Sequence, residues 1–184
     1  MEISDPRALR ALAHPLRLDL IELLGTARTL TAAECARRLG STQANCSYHL
    51  RQLAKYGYVE EGGVGEDARE HPWRLTDVRQ SWSSMAPTAG DLERVFIQRE
   101  ADKVIAWQAA RAGESSPWRE AAFVTGATVP LTAAELDDLR ARLADVLEPY
   151  IPRLTDPGTR PEGSRFVRVL LAGTPAATTE ESAT

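Results

Sequence analysis

The stretch from Thr31 to Tyr58 admits few folds. It reads TAAECARRLGSTQANCSYHLRQLAKYGY. Thr31 and Glu34 have the T-x-x-E spacing of a capping box, in which each side chain satisfies the other's backbone N–H. Ala33, Ala36 and Leu39 then recur at helical spacing. Gly40 suits a helix end, where a positive φ is wanted, and Ser41 or Thr42 suits the start of the next helix. In that second helix Cys46, Leu50 and Leu53 fall at i, i+4 and i+7, so they should face a core. The pattern predicts a short helix, a tight turn and a longer second helix.

Charge gives this stretch a direction. No acidic residue stands between Glu34 and Glu60, whereas Arg37, Arg38, Arg51 and Lys55 all do, in a chain whose formal net charge is −4. A surface that faces phosphates needs such a local excess. Asn45, Tyr48, Gln52 and Lys55 fall on the side of the second helix away from its apolar stripe, with Ala44 and Arg51 beside them. Gln and Asn can pair with adenine edges, Ser bonds several bases, and Arg and Lys reach guanine or phosphate. Thr42, Gln43, Asn45, Ser47, Tyr48 and His49 are the candidates for base contact. Arg51, Gln52 and Lys55 are the candidates for the backbone. A solvated amphipathic helix inside an all-helical domain would share this pattern, so the flanking sequence matters.

Tyr58 to Glu61 reads as a strand, Gly62, Gly63 and Gly65 as a turn, and His71 to Thr76 as a return strand. A hairpin directly after a recognition helix is a wing. Pro72 argues for an edge position in the return strand. The wing tip holds Glu66 and Asp67 beside Arg69, so Arg69, with Arg74 behind it, is its candidate for phosphate contact. Upstream, Asp5-Pro6 is a helix start. His14-Pro15 opens a second helix carrying Leu20, Ile21, Leu23 and Leu24 and closing at Gly25. His14 reads as a polar cap or packing residue at that junction.

The segments AHPLRLDLIELL and ANCSYHLRQLAKYGYVE, within Asp5 to Thr76, resemble ArsR-type winged-helix transcriptional regulators. The resemblance covers about two-fifths of the chain. It implies a homodimer on inverted-repeat duplex DNA, with helix 42–56 in the major groove and wing 58–76 on the adjacent backbone. It also implies a repressor relieved by a signal. Many relatives sense metals, but Cys35 stands without a neighbouring thiolate, Cys46 falls on the core stripe, and no histidine follows His71. Both cysteines read as small buried hydrophobes, with no metal and no cofactor expected. A thiol or metal sensor and a winged-helix protein-interaction module are the alternatives. No phosphate loop or nucleophile elbow marks an enzyme.

The expected fold is α+β: a winged helix-turn-helix domain over 1–76, a linker and long dimerisation helix over 77–113, a small strand-helix-strand unit over 114–174, and a disordered tail over 175–184. Residues 1–76 hold ten basic and ten acidic residues, and residues 77–184 hold twelve and sixteen, so the second part is no nucleic-acid surface. DVRQSWSSMAPTAG reads as the linker, and Asp91 to about Ala112 as the helix. Its apolar residues spread over several faces, which predicts burial against the winged helix and a partner subunit. Glu120 to Val129 and Arg165 to Ala172 read as strands around a helix that opens with the capping box Thr132/Glu135. A pair of strands is a poor independent sheet, so a second copy is expected to complete it. Phe96, Trp107, Trp118 and Phe123, with Trp82, either fill cores or line a pocket for a small apolar or aromatic effector. No apolar run approaches a membrane span and MEISDPRALR lacks the pattern of a secretory signal, so the expected location is the cytoplasm.

Overall fold

The structure, a computed structural model, describes residues 2–63, 71–79, 81–82, 86 and 89–176. It divides into two compact units, Met1–Gln108 and Ala109–Thr184. The first begins with β1 (Glu2–Ile3) and α1 (Pro6–Leu12), which Asp5 caps by accepting the Arg7 N–H at 2.8 Å. α2 (Pro15–Ala27) starts in the same manner, with His14 Nδ1 accepting the Leu16 N–H at 3.2 Å. In both helices proline occupies the first turn, where its missing N–H costs nothing. There follow β2 (Thr29–Leu30), α3 (Ala32–Leu39), α4 (Gln43–Lys55), β3 (Val59–Glu61), β4 (Trp73–Leu75), β5 (Ser81–Trp82) and α5 (Ala89–Ala110).

Leu9 and Leu12 of α1, Leu20 and Leu24 of α2, Cys35 of α3 and Cys46, Leu50 and Leu53 of α4 meet in one buried cluster. Tyr58 closes it, and its hydroxyl donates to the Ala8 carbonyl at 2.8 Å. The wing sheet has the order β2-β4-β3 and is antiparallel throughout. β4 is therefore the middle strand, which corrects the edge position expected from Pro72. Pro72 is tolerated because it precedes the strand and needs no donor there; its carbonyl accepts the Gly62 N–H at 2.7 Å. β1 pairs in parallel with β5, Glu2 opposite Ser81 and Ile3 opposite Trp82. Ser81–Trp82 is thus a strand inside the stretch read as linker.

α5 lies on this core through Leu92, with Val95 and Phe96 half-buried. Its next turn inserts charge. Arg99 and Glu100 are buried, and Arg99 bonds Glu100, Glu22 and Asp19, the last at 2.8 Å. Lys103 reaches the same two α2 carboxylates at 3.0 and 2.8 Å. The opposite side leaves Ile97 and Ile105 exposed at 56% and 65%.

The second unit contains α6 (Ser116–Ala121), α7 (Ala133–Leu147) and α8 (Pro152–Thr155). The Thr132/Glu135 capping box forms, with the Thr132 N–H donating to Glu135 at 2.7 Å. The strand-helix-strand expectation is corrected here. Residues 122–132 and 164–176 join no ladder among the described residues, and Glu120 belongs to α6. The physical reason lies in exposure. A parallel pair needs both faces covered, yet no described residue of this unit is buried, and Phe123, Val124, Phe166 and Val167 are all exposed. The fold class is α+β, with a winged helix-turn-helix at the N-terminus. No helix among the described residues is long and apolar enough to cross a membrane.

Candidate nucleic-acid interface

The site is built on the turn between α3 and α4. Thr31 and Glu34 form the expected capping box, with N–H donations at 2.8 and 3.2 Å. The bond from the Thr31 N–H, ahead of every other influence, holds the Glu34 carboxyl below its ordinary value. Its one negative charge is thereby tied to the helix start. Gly40 takes φ +62, the left-handed conformation that ends α3 with little strain only for glycine. The chain reverses over Ser41, and the Thr42 hydroxyl caps α4 by accepting the Asn45 N–H at 3.2 Å.

Burial then sets the rotation of α4. Cys46, Leu50 and Leu53 are fully buried, so Thr42, Gln43, Asn45, Tyr48, Arg51 and Lys55 are left exposed, with Ser47 and Gln52 partly so. Arg37 and Arg38 are exposed in the last turn of α3. Several of these polar groups are already ordered by one another. Asn45 Nδ2 donates to Ser41 Oγ at 3.2 Å, and an Arg51 guanidinium N–H donates to Ser47 Oγ at 2.9 Å. The Lys55 ammonium sits 5.7 Å from the centre of the Tyr56 ring.

His49 is the exception among the groove candidates, and its placement there is corrected. It is only 6% exposed and turns inward. Its Nδ1 accepts from Arg17 Nε at 3.1 Å, and its ring lies 4.4 Å from that of His14. Arg17 in turn donates to the Ala11 carbonyl. Burial, the neighbouring His14 and the Arg17 charge, in that order, lower the His49 pKa; burial and then Arg17 lower that of His14. With Nδ1 accepting in both rings, each is neutral and carries its proton on Nε2. Residue-type reasoning missed Arg17 as the support of α4. The signal was present in the spacing, because His49 shares the Cys46, Leu50, Leu53 stripe.

In the wing, Arg74 is paired with Glu60 at 2.8 Å, so its charge is compensated within the sheet. His71 lies 3.7 Å from Glu61. Arg69 and the tip residues Glu66 and Asp67 lie outside the described residues. Of the aromatic candidates, Phe96 meets Trp82 edge-on at 5.5 Å in the first unit, which makes it a core residue. Trp107 is half-buried. Trp118 has the Arg165 guanidinium over its ring at 4.9 Å, and Phe123 is 78% exposed. A side chain so exposed lines no cavity. Cys35 and Cys46 are buried free thiols; burial above all raises both, Cys35 to about 11.

Residues 12–61 match the family model described as "Helix-turn-helix domain". No curated protein matches the chain. Among solved structures, a mutant ZitR from Lactococcus lactis is similar at 14% identity and TM-score 0.36, over 75% of this chain and 83% of its own. YusO from Bacillus subtilis gives 16%, 0.36, 78% and 83% in the same order. Apo MarR from E. coli gives 18%, 0.34, 76% and 88%. At such TM-scores these likenesses carry no weight. The local geometry and the family match together identify residues 12–61 as a helix-turn-helix domain, whose last strand, β3, opens the wing.

Proposed function

We propose that the protein is a sequence-specific DNA-binding transcriptional regulator, a homodimeric repressor of the ArsR type. The observation that carries this is the exposed edge of α4. Thr42, Gln43, Asn45 and Tyr48 lead, Arg51 and Lys55 follow, and two capped ends and a buried stripe fix the helix rotation. In a helix-turn-helix the N-terminal part of the second helix meets base edges. Thr42, Gln43, Asn45, Ser47 and Tyr48 are assigned to the groove. Arg51, Gln52 and Lys55 are assigned to the backbone, and the wing, with Arg69, to the flanking phosphates.

Dimerisation follows from what the single chain leaves uncovered. Ile97 and Ile105 stand exposed on α5, and the second unit exposes apolar residues along 123–131 and 166–171. Contiguous exposed apolar surface marks an interaction site. A second copy is the proposed cover, with α5 as the dimerisation helix and residues 114–174 extending the interface or taking the effector. Repression and relief by an effector rest on the ArsR resemblance.

The test is selection of bound sites from a random duplex library with purified full-length protein. Enrichment of an inverted repeat is the expected result. Absence of enrichment, together with binding that does not weaken as salt rises, would transfer the domain to protein contacts, a reading that the compensated Arg74–Glu60 pair in the wing favours.

A further inference from the structure

A second basic feature lies beside α4. Arg7, Arg10 and Ala11 of α1, Arg17 of α2, and Gln52 and Tyr56 at the end of α4 line an open cleft of about 240 Å³. No carboxylate among the described residues lines it. Arg7 and Arg10 make no side-chain ion pair among the described residues, and Arg17 gives Nε to His49 and one Nη1 hydrogen to the Ala11 carbonyl, which leaves its other guanidinium N–H groups for a further acceptor. Asp5 is near in sequence, but its carboxylate is turned to the Arg7 N–H as the α1 cap. Arg37, Arg38 and Arg51, on the α3–α4 face, likewise make no ion pair among the described residues, whereas other arginines of this unit do. Arg74, Arg94 and Arg99 each have a carboxylate partner. Three arginines without one line the same open cleft, a lining suited to an anion with several oxygens. Arginine's planar fork suits a phosphate's paired oxygens.

The position of the cleft identifies the anion. Along α4, Tyr48 and Lys55 share a line at i and i+7. At about 100° per residue, Ser47 and Arg51 lie to one side of that line and Gln52 and Tyr56 to the other. A helix in the major groove has a phosphate strand along each flank, and most contacts to duplex DNA are to those strands. Ser47 and Arg51 serve one flank. On the other flank, Gln52 and Tyr56 form the wall of the arginine cleft.

We infer that the cleft between α1, α2 and the end of α4 seats a backbone phosphodiester of bound duplex DNA, held by Arg7, Arg10 and Arg17. This assignment rests on the DNA-binding reading above. It adds α1 and α2 to a footprint otherwise made of α4 and the wing. It also gives Arg17 two duties, fixing His49 from one side and facing the phosphate from the other.

The experiment compares full-length wild type with Arg7→Gln/Arg10→Gln, measuring DNA affinity against NaCl concentration on a selected duplex and on a random duplex. Both substituted side chains are exposed, so the melting temperature should hold. The expected result is a log–log salt slope shallower by ~0.9 for the phosphate released, an equal loss on both duplexes, and recovery of the slope in Arg7→Lys/Arg10→Lys. An unchanged slope in the glutamine variant, with wild type still binding steeply with salt, overturns the cleft assignment and leaves the DNA-binding reading standing. Wild type that binds neither duplex overturns both. If inorganic phosphate raises the melting temperature of wild type alone while the DNA slope is untouched, the cleft serves a free phosphorylated ligand and the assignment fails.

Discussion

Replacing Arg99 with Met tests how α5 is joined to the winged helix. The Arg99 side chain is 8% exposed and that of Glu100 5%, while Asp19 and Glu22 are 29% and 37% exposed. Lys103 touches Asp19 and Glu22 and stays in the variant. The main cost falls on the buried Arg99–Glu100 pair, in which Glu100 loses the guanidinium beside it. Removing one partner of a buried ion pair costs ~3–5 kcal/mol. For a chain of this size that is roughly 6–20 °C in melting temperature. Methionine keeps much of the arginine stem's volume, so lost packing contributes little. The assay is thermal and urea unfolding of Arg99→Met beside Arg99→Met/Glu100→Gln. If the loss of the guanidinium beside Glu100 is the cause, the double variant regains most of the stability. A single variant within about 1 kcal/mol of wild type, or a double variant no more stable than the single, would refute the reasoning.

His14 and His49 supply a pH dependence. Their pKa values are lowered on folding from the ordinary 6.5, so the folded state binds fewer protons than the unfolded one. Their contribution is complete above pH 6.5 and is lost as pH falls through the lowered values. The urea midpoint should drop below pH 6.5, and His49→Asn should flatten that drop; an identical pH profile in the variant would contradict it. Cys35 and Cys46 should react slowly with iodoacetamide in the native protein and rapidly in urea, since a buried thiol holds little thiolate at neutral pH; fast native labelling would revive the thiol-switch reading. Gly40→Ala should cost ~1 kcal/mol from backbone strain alone, because a Cβ there meets nothing within 4 Å. Gly40→Asn, checked in the same melts, should cost less.

The winged helix was legible because its signals are local. Capping boxes, a helix-ending glycine and an i, i+4, i+7 stripe specify α3 and α4 without reference to distant chain. The parts that escaped depend on pairing across the sequence. β2 joins β4 over more than forty residues, and Ser81–Trp82 finds its partner at Glu2–Ile3. Neither dipeptide is long enough to carry an alternating pattern. The second unit shows the converse. FVTGATV and RFVRVLLA have the composition of strands, but composition does not supply a neighbouring strand, and among the described residues they join no ladder and their apolar side chains stay exposed.

Gln43 and Lys55 separate base contact from backbone contact along α4. Turning His49 inward leaves Thr42, Gln43, Asn45, Ser47 and Tyr48 for base contact. Thr42 is engaged as the cap, Asn45 donates to Ser41, and Ser47 accepts from Arg51. Among the described residues, Gln43 is exposed and its amide has no intramolecular bond. The Tyr48 hydroxyl is likewise without an intramolecular bond among the described residues, but only the Gln43 amide presents a separate donor and acceptor that pair with an adenine edge. Base discrimination should thus rest on Gln43 first, and Gln43→Ala should cost ~1–3 kcal/mol of preference between selected and mismatched duplexes. Lys55→Ala, at the far end of the same helix, should instead weaken all duplexes alike and flatten the salt slope by ~0.9. A uniform loss in both variants would mean that α4 reads the backbone only, and sequence preference would then have to come from the deformability of the DNA itself.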